Sequence, residues 1–81
     1  MYWQASESKE VTAKEVKDLP VGTHVHLEGR DRYGALAQIE GRVAYNKNGQ
    51  KQFLYYDCRM PVYKDIRTYK GKRWLVLREG I

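Results

Sequence analysis

Asn48-Gly49, set between two alternating stretches, constrains the fold of this chain more than any other feature. Both residues tolerate positive φ, as the two central positions of a type I′ turn demand, so the flanking segments are expected to fold back as antiparallel strands. With these two residues at the centre, Val43 faces Leu54, Gly41 faces Tyr56 and Ile39 faces Cys58, which sets apolar against apolar. A three-residue loop instead places Gly41 opposite Tyr55 and Ile39 opposite Asp57; a slip of one residue reverses the faces, and the two-residue register is the expected one. Phe53 and Tyr55 then point to the solvent face beside Lys51, Arg59 and Arg42, while Leu54, Tyr56 and Cys58 point inward. Aromatics on an open sheet face are either a ligand platform or covered by another segment, for which Tyr2 and Trp3 are available.

The rest of the chain reads as short strands after a brief helix. Thr12-Ala13-Lys14-Glu15 fits a capping box and predicts a helix to about Leu19, stopped by Pro20. Residues 21–28 alternate, with Val21, Thr23, Val25 and Leu27 on one face and His24, His26 and Glu28 on a solvent face. A charged loop from Gly29 to Gly34 leads to strands over 36–46 and 51–59, and Met60-Pro61 interrupts the run. Residues 62–69 and 72–78 are expected to form a second hairpin around Lys70-Gly71, with Arg67 facing Trp74 and Tyr69 facing Lys72. Residues 1–11 show no period and read as a loosely ordered lead-in to a single domain over 12–81.

Five short antiparallel strands with a short N-terminal helical turn predict a mainly β fold, a small SH3-like barrel, with an OB-like barrel or an open bent sheet as alternatives. An OB-like barrel usually carries a helix between its third and fourth strands, where this chain has only Met60-Pro61. The stretch from Leu19 to Val25, entering a strand after a short helix, is similar in style to the opening of SH3-like modules.

Eighty-one residues, with 42% hydrophobic and 31% charged side chains, suit one small folded domain with little room for a deep catalytic pocket. No segment approaches the roughly 18 apolar residues of a membrane span, and a single cysteine, Cys58, makes no internal disulfide, so a cytoplasmic, membrane-free setting is expected. Phosphate-loop, dinucleotide, zinc-protease and C-x-x-C motifs are absent, and serine occurs only at Ser6 and Ser8. A Cys58 nucleophile activated by His24 or His26 is outweighed by the reading of Cys58 as a buried core residue. His24-x-His26-x-Glu28 has metal-like spacing, yet no fourth ligand can be named. The chain is therefore expected to be no enzyme and to use no metal or cofactor.

Charge is uneven. Residues 1–28 carry three lysines against five acids, whereas residues 29–81 carry twelve basic groups against five acids, together with six of the seven tyrosines. Cations neutralise phosphate and rings offer faces to bases, so the mixture predicts a nucleic-acid-binding module, DNA or RNA. Its candidate site is Phe53 and Tyr55 ringed by Arg42, Lys51 and Arg59, supplemented by Arg30 and Arg32 in the loop and Lys70, Lys72 and Arg73 at the hairpin tip. The alternative is a protein-interaction or inhibitor module, in which the same tyrosine, tryptophan and arginine side chains anchor an acidic or nucleic-acid-associated protein partner.

Overall fold

The computed structural model describes residues 8–77. Its elements are β1 (Ser8–Val11), α1 (Ala13–Lys17), β2 (His24–Arg30), β3 (Leu36–Tyr45), β4 (Lys51–Asp57), β5 (Met60–Lys64) and β6 (Lys72–Leu77). The fold is mainly β, with six strands and not five: Ser8–Val11, expected to be loose, pairs antiparallel with β6. All six form one antiparallel sheet in the order β1-β6-β2-β3-β4-β5. With β1 and β5 as its two edges, the sheet is not closed into a barrel.

The capping box forms as read: the Glu15 amide donates to Thr12 Oγ1 at 3.1 Å and the Thr12 amide donates to Glu15 Oε1 at 2.9 Å. Two first-turn donors are thereby satisfied. The helix buries Val16 against the sheet and ends at Lys17, two residues short of the expected stop.

Asn48-Gly49 does make a hairpin, but not the expected one. Asn46 Oδ1 accepts the amides of Asn48 and Gln50, both at 2.9 Å, and the Asn46 amide donates to the Gln50 carbonyl at 2.8 Å. This closes a three-residue loop, Lys47-Asn48-Gly49, in which Gly49 takes φ +79°. Val43 therefore faces Phe53 and Arg42 faces Leu54. The faces of β4 are exchanged: Phe53, expected in solvent, is fully buried in the core, and Tyr56, expected inward, is exposed, while Leu54 stays buried although it lies outside the core cluster. The side chain of Asn46 favours this loop by accepting two of its amides, and the register it closes buries Phe53 in the core.

Two further turns depart from expectation. Cys58 and Arg59, with φ of 51° and 69°, form the tight turn between β4 and β5, so that Asp57 faces Met60. Cys58 is thus exposed on a turn and is not a core residue. Pro61 is tolerated within β5 because that strand is an edge. The second expected hairpin is absent, since β5 pairs with β4 while β6 pairs with β2 and β1. Residues 65–71 instead cross beneath the sheet and bury Ile66. The Trp74 indole N–H donates to the Arg67 carbonyl at 2.9 Å, and the Arg67 guanidinium lies 5.0 Å from the Tyr69 ring, not over Trp74.

The core lies on one face of the sheet, where Val16, Val25, Leu27, Val43, Phe53, Ile66 and Trp74 meet. Phe53 packs edge-on against Trp74, with centroids 5.1 Å apart, and beside Tyr55 at 5.7 Å. Phe53 is covered by the fold itself and Tyr55 is half-buried beside it; the expected cover from Tyr2 and Trp3 lies outside the described residues. Gly41 is where β3 passes from β2 to β4 as its main neighbour. A side chain there would collide with the Leu54 carbonyl and with the Phe53 ring.

Candidate functional site

The ten candidate residues do not form one surface. Phe53 and Tyr55 belong to the core side, with Tyr55 half-buried. Lys51 reaches back to α1, donating from Nζ to the Lys17 carbonyl at 3.0 Å, where a cation complements the helix C-terminus. Arg42 is exposed on the other face of the sheet and shares a shallow cleft of about 250 Å³ with His24, Glu40, Leu54 and Tyr56. Arg59 stands on the β4–β5 turn.

The remaining five converge at one end of the sheet. Gly29 faces Lys72 and Glu28 faces Arg73, which sets the 69–72 turn beside the start of the β2–β3 loop. The cleft between them, about 350 Å³, is lined by Glu28, Gly29, Arg30, Leu36, Gly71, Lys72 and Arg73. Arg73 is occupied: its Nε and Nη2 both donate to Glu28 Oε1, at 2.8 and 2.6 Å, and its Nη1 lies 3.4 Å from Glu10 Oε1. Glu28 Oε2 accepts from Gln38 Nε2 at 2.7 Å. These hydrogen bonds hold the Glu28 carboxyl below its ordinary value, Gln38 foremost and then Arg73, and Glu28 in turn raises Arg73. Arg30, Arg32, Lys70 and Lys72 make no ion pair among the described residues. Arg30 donates only to the Gly34 carbonyl, at 2.9 Å, and Arg32 lies 5.8 Å from the ring of Tyr33.

Tyr33 and Leu36 complete this end, with 83% and 57% of their surfaces exposed. Neither was among the sequence candidates. The signal for Tyr33 was its position in Arg30-Asp31-Arg32-Tyr33-Gly34, an aromatic in a charged loop. Leu36 has no such signal, because a strand-end leucine reads as core.

His26 and Glu28, expected on a solvent face, are 2% and 7% exposed. β2 is an inner strand, flanked by β6 and β3, so both of its faces are crowded. His24 alone of the three remains exposed, and among the described residues no group of three His, Cys, Asp or Glu side chains is placed to hold a metal. Burial is the main cause holding His26 below its ordinary 6.5, opposed by Glu40, whose Oε1 lies 3.7 Å from Nε2, and by Glu28. The unfolded chain therefore binds a proton at higher pH than the native one. Stability tied to His26 is fully present above about pH 6.5 and is lost as pH falls through the lower native value. The carboxyls of Glu28 and Glu15, both held low, act only in a lower window, below about pH 4.5. Thermal unfolding is expected to shift to lower temperature between pH 7.5 and 5.5 in the native chain. H26Q should flatten that dependence; an equal shift in H26Q would assign it to another group.

Fold and surface together define a small mainly β domain whose open antiparallel sheet carries a concentrated basic end. Comparison with protein-family models, with curated proteins and with solved structures finds no match. Among the described residues no helix is long and apolar enough to cross a membrane.

Proposed function

We propose that the protein is a nucleic-acid-binding module that engages phosphates at the basic end of its sheet. The observation that carries this reading is that Arg30, Arg32, Lys70 and Lys72, none of them ion-paired among the described residues, lie in or beside two adjacent turns, one of which displays an exposed tyrosine. Cations left uncompensated in a small domain repel one another, and a polyanion relieves that repulsion while releasing its counterions. The net charge of +5 adds long-range attraction of the same sign. We read the strand plan as an opened variant of the small SH3-like architecture, though the site and not the fold carries the functional argument. The module is proposed as a binder and not a catalyst, since its buried titratable pair, His26 and Glu28, is engaged by Glu40, Arg73 and Gln38.

Four phosphate contacts predict a slope of log K against log salt near −3 for a single strand, or roughly a 50-fold loss of affinity between 50 and 200 mM salt. Fluorescence anisotropy with labelled single-stranded DNA, duplex DNA and RNA measures this directly. The double charge reversal K70E/K72E is expected to weaken binding at least tenfold and to flatten the slope, whereas R42E/R59E should do less. An unchanged slope in K70E/K72E would move the interface elsewhere. A second reading, docking of an acidic protein partner, is favoured by the exposed Tyr56, Met60 and Tyr63 on β4 and β5. Absence of binding to all three nucleic acids would select it.

A further inference from the structure

The β2–β3 loop does more than carry charge. Its tip is tied by a dense set of short-range hydrogen bonds. Asp31 Oδ1 accepts the amides of Tyr33 and Ala35 at 2.9 and 3.0 Å. The Gly34 amide donates to the Asp31 carbonyl at 3.0 Å, the Asp31 amide donates to the Ala35 carbonyl at 2.9 Å, and Arg30 Nη1 caps the Gly34 carbonyl. Gly34 supplies the positive φ of +81° that the turn needs, and a side chain there would meet open space, so conformation and not crowding selects glycine. This bonding holds the loop backbone in one shape, and its apex residue, Tyr33, contributes little to the core because its ring stands in solvent. A large ring displayed on a pre-shaped loop is costly to leave in water and lowers the ordering cost of any ligand that covers it.

Resting on the nucleic-acid reading above, we infer that Tyr33 is a base-stacking element, so the basic end takes single-stranded nucleic acid in preference to duplex. Three features support a nucleobase as the group that covers the ring. Arg32 lies over one face of the ring, 5.8 Å from its centroid, where it is within reach of a phosphate and leaves the other face to a base. Arg30 and Lys72 line the cleft at the base of this loop, and the exposed Lys70 precedes Gly71 of its wall, which supplies cations for a phosphate backbone. The adjoining cleft, walled by Leu36, Gly29 and Gly71, is shallow and partly apolar, which suits the flat body of a neighbouring base. A duplex keeps its base faces stacked on one another and offers Tyr33 only phosphates and groove edges. A single strand offers a face at every nucleotide, and stacking on an aromatic side chain is tolerant of sequence.

The test separates bases from phosphates. Labelled 12-nucleotide single-stranded DNA, an abasic strand with the same number of phosphates, and a duplex are titrated by anisotropy at 50 mM salt against the full chain and its Y33A and Y33W variants. The base-bearing strand is expected to bind about 5- to 100-fold more tightly than the abasic one. Y33A should erase that ratio while leaving the abasic affinity within about twofold, and Y33W should preserve it. Because the ring is exposed, Y33A is expected to keep the native circular dichroism and melting temperature. Equal binding of the base-bearing and abasic strands by the native chain, or a ratio untouched by Y33A, overturns the stacking role and leaves phosphate binding standing. Failure of all three nucleic acids to bind overturns the nucleic-acid reading itself.

Discussion

Phe53→Ala is expected to lower the stability of the fold by about 3–5 kcal/mol. The side chain is completely buried and is the largest such residue among those described, and it holds Trp74 edge-on at 5.1 Å. Removing it opens a cavity between β4 and β6 that neither strand can close, because β6 is already fixed between β1 and β2. A chain of 81 residues has a total stability of roughly 4–12 kcal/mol, so the variant should be largely or wholly unfolded at 25 °C in mild denaturant. Phe53→Leu, which keeps most of the volume, should cost less than half as much. Urea unfolding followed by tryptophan fluorescence measures both. The outcome also discriminates between the two hairpin registers. In the two-residue register Phe53 lies on an open face, and its loss would weaken nucleic-acid binding while barely changing the urea midpoint; that result would contradict the three-residue loop.

Gly41→Ala is the second large effect, expected at about 3 kcal/mol or more, and Gly41→Val should leave no folded protein. The constraint is close approach and not positive φ. A Cβ at this position would run into the Leu54 carbonyl, which is backbone and cannot move aside, and would lie 2.8 and 2.9 Å from two carbons of the Phe53 ring. Relief requires β4 to withdraw from β3, and the Val43–Phe53 and Arg42–Leu54 pairs go with it. The control is Gly49→Ala, where open space surrounds the site and only the positive φ is unfavourable, at about 1 kcal/mol. A Gly41→Ala protein with a melting temperature within a few degrees of the native one would show that β4 does not approach as described.

The helix cap, the position of the hairpin loop and most strand segments were legible in the residues, because each depends on atoms three or four positions apart. Thr12 and Glu15 bond to one another whatever the rest of the chain does. Asn48-Gly49 marked a turn correctly, since glycine carries its own conformational freedom. Loop length was not legible. The Asn46 side chain, two residues before the marker, favours the longer loop, but the energies separating two- and three-residue loops are small beside the gain from burying Phe53 against Trp74, which decides the register. That gain belongs to a pair twenty-one positions apart and is invisible to local pattern. The same holds for Ser8–Val11, a strand only because β6 offers it an edge.

The candidate site divides along the same line. Sequence alone determined that positive charge is concentrated after residue 28 and that Arg32 and Lys70 belong to turns, where cations stay solvated; Arg30, read as loop, instead ends β2, and Lys72 opens β6. Only the tertiary structure decided which cations are available. Pairing of β2 with β6 brings Glu28 to Arg73 and consumes that charge, packing of α1 on the sheet consumes Lys51, and the same pairing places the two turns side by side. A side chain's type is a local property, but whether it faces a carboxylate, a carbonyl or open water is set by strands distant in sequence.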